Sequence, residues 1–210
     1  ALASIDEKIP SVFQPEATSC NNIGYVYLKN HQYKEAKKYF QKGLEQKNIS
    51  RDKPFVYATL LDNLALSKLK LNEKEGLASL FYKSLKIRDS LQLTTGIITS
   101  KLNLSAYFRS GKDTVKASQN AKEALALARS SNSYRDILIS LKQLSVIEPH
   151  NAAVYANEYI QVSEKLQKAE RNIGNKFSRI EFETEEVKEK NSNLTTKNRN
   201  LLYGLVGFAI

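Results

Sequence analysis

The side chains best suited to covalent or metal chemistry are two histidines, His31 and His150, and one cysteine, Cys20. A metal centre or an activated nucleophile needs such groups clustered, as paired His and Cys at ligand spacing or a thiol beside an imidazole. Neither histidine has a second His or Cys at such a spacing, and both fall in expected turns. A single cysteine closes no intrachain disulfide, and Cys20 reads as a packing residue of the first helix. There is no glycine-rich phosphate loop. The carboxylates Glu181, Glu183, Glu185, Glu186 and Glu189 read as one solvated helix face, not as a paired acid and base. Two glycosylation-type triplets, Asn48-Ile49-Ser50 and Asn193-Leu194-Thr195, are short enough to arise by chance. The chain therefore reads as non-catalytic, with no cofactor and no metal.

Binding chemistry is better represented. Asn22, Asn63, Asn103 and Gln143 recur at spacings of 41, 40 and 40 residues. A side-chain amide carries a donor and an acceptor together, which suits the backbone of an extended peptide better than a charged ligand. The competing use is packing between helices. Tyr25, Lys29, Asp62, Leu66, Lys70, Ala106 and Arg109 complete the expected lining, and Lys29, Lys70 and Arg109 would favour an acidic or carboxylate-bearing partner.

These residues belong to a longer pattern. Each amide is followed by a large aliphatic and then a small residue: Ile23-Gly24, Leu64-Ala65, Leu104-Ser105 and Leu144-Ser145. A bulky residue comes next at Tyr27, Leu69 and Phe108. After a polar turn, a second helix pairs Ala36 with Phe40, Ala78 with Phe81, and Ala117 with Ala121. Small residues let two helices approach closely, and neither helix can bury its apolar stripe alone. Hairpins of this kind must stack into a solenoid.

Ile23-Gly24-x2-Tyr27 followed by Ala36-x3-Phe40 resembles the tetratricopeptide repeat. Units are expected at 17–50, 57–91, 97–131 and 137–168, after an N-terminal segment 1–16. The fold class is thus all-α, a tetratricopeptide-like solenoid over 17–168. The resemblance implies a concave face, lined by the first helix of each hairpin, that holds a peptide or protein. In the fourth unit, Glu148 stands where an aromatic is expected and Pro149 ends the turn early.

Beyond Leu166 the period changes. Leu166, Ile173, Ile180, Val187, Leu194 and Leu201 follow at sevens, with Glu170, Phe177, Thr184, Asn191 and Asn198 four residues after each. Placing the first set at d and the second at a gives a two-stranded coiled-coil register over 169–200. Polar residues at a, Asn191 and Asn198 among them, lower stability while fixing register. Leu166, Ile173, Phe177, Ile180, Val187, Asn191, Leu194, Asn198 and Leu201 are the expected contacts of a homodimer. A monomeric amphipathic helix folded back on the repeats is the other reading. The uncharged run 201–210 is expected to begin a transmembrane helix, and the absence of Met suggests a piece of a longer chain.

The core Asn175-Lys176-Phe177-x-Arg179-Ile180-x-Phe182-Glu183-Thr184 resembles the linker between tetratricopeptide repeats and the membrane span in Bacteroidetes-type sensor proteins. The resemblance implies a membrane-bound two-component histidine kinase, or a related helix-turn-helix transcription regulator, with its repeats periplasmic and its anchor in the inner membrane. Lys188, Lys190, Lys197 and Arg199 oppose that orientation, since basic residues flank the cytoplasmic side. A plain scaffold at a membrane is the third reading. The net charge of +10 does not point to nucleic acid, because Lys and Glu alternate along helix faces, as in residues 34–38.

Overall fold

The computed structural model describes the backbone of residues 16–207 and side chains as far as Asn191, apart from Ser178, Glu181, Phe182 and Glu189. The dimer positions Leu194, Asn198 and Leu201 and the side chains of the apolar run 201–210 lie outside the described residues. Among those described there is no strand. The elements are α1 (Ala17–Lys29), α2 (Tyr33–Leu44), α3 (Pro54–Lys70), α4 (Leu77–Ser90), α5 (Thr94–Ser110), α6 (Thr114–Ser130), α7 (Tyr134–Ile147) and α8 (Ala152–Gly207), with one-turn pieces at Ile49–Asp52 and Pro149–Asn151. The chain divides into two compact units, one ending at Val162 and the other running from Ser163.

In the first unit the helices pair as α1/α2, α3/α4 and α5/α6, and each second helix also packs on the next first helix. α1 touches α3, α3 touches α5, and α5 touches α7, whereas no comparable contact joins the second helices. The first helices therefore form the inner row of the solenoid. Hairpins begin at Ala17, Pro54 and Thr94, and α7 opens at Tyr134. The last three starts lie three residues ahead of the expected bounds, and α3 and α5 run 17 residues where α1 runs 13.

The small residues do what their size predicts. A Cβ on Gly24 would meet the Phe40 ring at 2.6 Å, and Phe40 has no solvent exposure. In the second hairpin the register is one residue earlier than the Ala78 pairing: Leu77, four residues before Phe81, is the buried partner, and Ala78 is half-buried. The third hairpin has no aromatic on its second helix. Ala117, Ala121, Ala124 and Ala128 are fully buried on α6, and Ser105 donates its hydroxyl to the Ala117 carbonyl at 2.8 Å across the seam. Ser145, by contrast, is half-exposed and bonds the Lys142 carbonyl of its own helix.

Five of the helix C-termini share one device. His31, Asn72, Gln92, Lys112 and Asn132 all adopt φ between 53° and 63°. The next residue's N–H then reaches back five positions, as Gln32 does to Tyr27 and Asp113 to Phe108, both at 2.9 Å. This left-handed closure caps orphan carbonyls at the C-termini of α1, α3, α4, α5 and α6. Glycine usually occupies such a position, and here it never does.

At the end of the solenoid the expected break at Pro149 is a single 3-10 turn, after which α8 begins at Ala152. Glu148 is its hub. The carboxylate accepts from Ser118 on α6, from Lys122 and the Tyr155 hydroxyl at 2.5 Å each, and from the Asn151 amide at 3.0 Å. These donors, Lys122 foremost, hold its pKa far below the usual carboxylate range despite its burial. The folded pKa is depressed, so the stabilisation is complete above the unfolded value of about 4.3 and fades as pH falls below it. Glu148→Gln should cost about 1–3 kcal/mol near pH 7. Its gap from the parent should narrow on titrating downward from about pH 5 in thermal melts.

Candidate functional site

The four amides sit on the inner row, but three of them reach to the preceding hairpin. Asn63 donates to Asn21 Oδ1 at 2.9 Å, and Gln143 donates to the Leu102 carbonyl at 3.3 Å. Asn103 interacts with the Asp62 carboxylate. Asn22, on the first described helix, is exposed. The ladder thus ties each first helix to the one before it. Asn63→Ala should lower the unfolding free energy by about 1 kcal/mol, the typical worth of one such bond, as read from urea denaturation.

Asp62 does not line the face with its neighbours. It is 1% exposed and pairs with Arg88 of α4, whose side chain is 4% exposed. Arg88 Nη1 also donates to the Gly96 carbonyl at 2.9 Å and to Ser100 Oγ at 3.0 Å, and Ser100 donates to Asp62 Oδ2 at 2.9 Å. Burial raises the Asp62 pKa against the pull of Arg88, Ser100, Ser84 and Asn103, and burial likewise lowers that of Arg88. Asp62 Oδ1 and Arg88 Nε have no partner at ordinary hydrogen-bond geometry. The network clamps α3, α4 and α5 together. Sequence reasoning missed it because Asp62 occupies the same helical face as exposed lining residues, and because Arg88 lies on another helix.

What remains on the face is apolar and basic. Tyr25 is 45% exposed and Val146 57%, with Leu66 and Ala106 half-buried between them in the same register of successive first helices. Lys29, Lys70 and Arg109 follow that stripe by one turn and are all exposed. Lys29 Nζ lies 5.1 Å from the centre of the Tyr25 ring, a cation–π contact. The four first helices contain only two acidic residues. Asp62 is buried in its ion pair, and Asp136 accepts the Ser133 hydroxyl at 2.8 Å at the start of α7. On these four helices no exposed carboxylate opposes the cations along the stripe.

A second feature is a cavity of about 350 Å³ at the turns after α3 and α5, lined by Leu69, Leu77, Tyr107 and Phe108 together with Lys74 and Asp113. Among the described residues, no group of three or more His, Cys, Asp or Glu is placed to hold a metal ion.

On the second unit's helix, Ile173, Phe177, Ile180 and Val187 are 47–65% exposed, Asn191 is exposed, and Leu166 is intermediate. No helix among the described residues is long and apolar enough to cross a membrane.

An all-helical stack of hairpins with an open inner face defines a protein–protein interaction repeat domain. The family of tetratricopeptide repeats matches residues 17–48. The apo form of RapI, in its crystal structure, has the same fold: TM-score 0.61, 20% identity, over 80% of this chain and 62% of RapI. The chain thus spans less than two thirds of RapI's length. No curated protein matches the sequence.

Proposed function

We propose that the inner face binds an extended, acidic segment of a partner protein. The observation that carries this is the stripe of Tyr25, Leu66, Ala106 and Val146 edged by Lys29, Lys70 and Arg109, with its one central carboxylate, Asp62, withdrawn into an ion pair. Apolar contact supplies adhesion, and the row of cations selects charge and orientation. The backbone of the segment would be met by Asn22 and by whatever bonding capacity Asn63, Asn103 and Gln143 retain.

The test is a peptide array graded in charge. The parent chain should retain acidic sequences, and the Lys29→Ala/Lys70→Ala/Arg109→Ala variant should bind them about ten- to a hundred-fold more weakly, as two or three screened ion pairs of up to about 1 kcal/mol each allow. The variant should melt like the parent, since all three side chains are exposed. Equal retention of basic and acidic peptides by the parent would refute the reading.

Within the larger protein, the same domain serves as the sensory half of a membrane histidine kinase, with the repeats periplasmic and the exit helix pairing with a second copy to carry the signal inward. The resemblance of residues 175–184 to sensor linkers and the unbroken run of α8 from Ala152 to Gly207 support this. A helix-turn-helix regulator or a signal-free scaffold are the competing outcomes, and sequencing the gene past Ile210 separates them. A phosphoacceptor His and an ATP-binding domain would support the kinase, a DNA-binding domain the regulator, and neither the scaffold.

A further inference from the structure

The turn inside the second hairpin is longer than those of its neighbours. α1 joins α2 through residues 30–32 and α5 joins α6 through 111–113, whereas α3 joins α4 through 71–76. Asn72 makes the usual left-handed closure, and the added length ends at Gly76, whose φ of 68° precedes Leu77. Two bonds fix where that length goes. Lys37 of α2 donates to Glu73 at 2.6 Å, and Lys68 of α3 donates to the Glu75 carbonyl at 2.6 Å. The loop is thereby held to α3 and to the hairpin before it, and the cavity of about 350 Å³ is left between it and the turn after α5.

The walls of this cavity are already packed. Tyr107 stacks obliquely on the unexposed Phe81, ring centres 5.9 Å apart, and on Phe108 at 5.2 Å. Lys116 Nζ lies 5.4 Å from the Phe108 ring centre, and Leu69 and the buried Leu77 complete the apolar lining. The volume falls at the lower end of ligand pockets, about 300–1,000 Å³, enough for one large side chain.

The charge around it is one-sided. Asp113 Oδ1 accepts the Lys116 N–H at 3.0 Å and its Oδ2 meets Lys116 Nζ at 3.2 Å, so both oxygens are engaged. Lys74 is exposed and has no ion pair among the described residues. The cavity also adjoins the cations of the inner face, since Leu69 immediately precedes Lys70 and Phe108 precedes Arg109.

We infer that this cavity takes one bulky apolar side chain, aromatic or leucine, of the acidic partner segment, with an acidic neighbour of that residue meeting Lys74. The inference rests on the binding reading above and adds a position at which the segment must be apolar. A preformed pocket spares the cost of ordering its own walls, and one buried anchor then dominates affinity.

The experiment titrates the whole chain with labelled, end-blocked peptides of Glu, Asp and Gly that differ only at a central Phe, Leu or Ser, read by fluorescence anisotropy. The Phe and Leu peptides should bind about ten- to a hundred-fold more tightly than the Ser peptide. Ser110→Trp fills the cavity from an exposed lining position whose hydroxyl bonds only the Tyr107 carbonyl of its own helix. That variant should melt like the parent, keep its affinity for the Ser peptide and lose the preference for Phe. The Lys29→Ala/Lys70→Ala/Arg109→Ala variant should weaken all three peptides alike and preserve their ratio. A benzophenone in place of the Phe ring should, on irradiation, label residues 69–77 or 107–113.

Acidic peptides bound without regard to the central residue, or a label outside those two segments, would overturn the anchor and leave the charged face intact. Phenylacetate that binds alone as tightly as the Phe peptide would make the cavity a small-molecule site and overturn the partner assignment. Failure of every acidic peptide to bind would remove the binding reading and this inference with it.

Discussion

Arg88→Leu is expected to lower the unfolding free energy by about 3–5 kcal/mol, because it leaves Asp62 charged, unpaired and almost fully buried. The loss should be pH-dependent, with a sign that identifies its cause. Without Arg88, the Asp62 carboxyl keeps the upward push of burial and loses its main counter-charge. Its folded pKa then lies above the unfolded one, so stability recovers as pH falls and is lost as pH rises through the folded value. Asp62→Leu/Arg88→Leu should return close to the parent, since two desolvated charges with an orphaned oxygen and nitrogen are a poor bargain against apolar packing. Urea titrations of the parent, Arg88→Leu, Asp62→Leu and the double variant at two pH values close the cycle. A double variant as weak as the single one would mean that the ion pair is itself stabilising.

The second large effect concerns the seam of the first hairpin. Phe40→Ala should cost about 3–5 kcal/mol, as a fully buried ring is replaced by a cavity. Gly24→Ala in the parent should cost about 1–3 kcal/mol, because the new methyl would sit 2.6 Å from a ring that has nowhere to move. In the Phe40→Ala background the sign should reverse. The methyl then enters the vacated space, and alanine's helix propensity adds back up to about 1 kcal/mol. Non-additivity of that size marks direct contact, and additive losses would mean that Gly24 is not the residue Phe40 packs on.

Much of this architecture was legible because the forty-residue period repeats small and large residues where two helices must touch. Gly24, Ala65 and Ser105 are buried where the pattern put them, and Ala36, Phe40 and Phe81 form the opposing surface. The one-residue shift from Ala78 to Leu77 was not legible, because adjacent small and large residues fit either register until the neighbouring helix is placed. Helix closures were hidden for a different reason. His31, Gln92 and Lys112 adopt left-handed backbone without the glycine that normally announces it.

The site was readable as a face and not as a set of contacts. Spacing placed Tyr25, Leu66, Lys29, Lys70 and Arg109 together, all of them on the inner row. It could not show that Asn63 and Gln143 bond the preceding helix, nor that Asp62 turns inward to Arg88. Those outcomes depend on side chains some forty or twenty-six residues away. Glu148 was read as a missing aromatic, whereas four donors from three elements converge on it.

The measurement that bears most directly on the binding account is hydrogen–deuterium exchange of the chain with and without a saturating acidic peptide from the array. Protection should concentrate in Ala17–Lys29, Pro54–Lys70 and Thr94–Ser110, the helices that carry the stripe and its cations, and should vanish in the Lys29→Ala/Lys70→Ala/Arg109→Ala variant. Protection confined to the second helices, Tyr33–Leu44, Leu77–Ser90 and Thr114–Ser130, would place the ligand on the outer surface and contradict the assignment of the inner face.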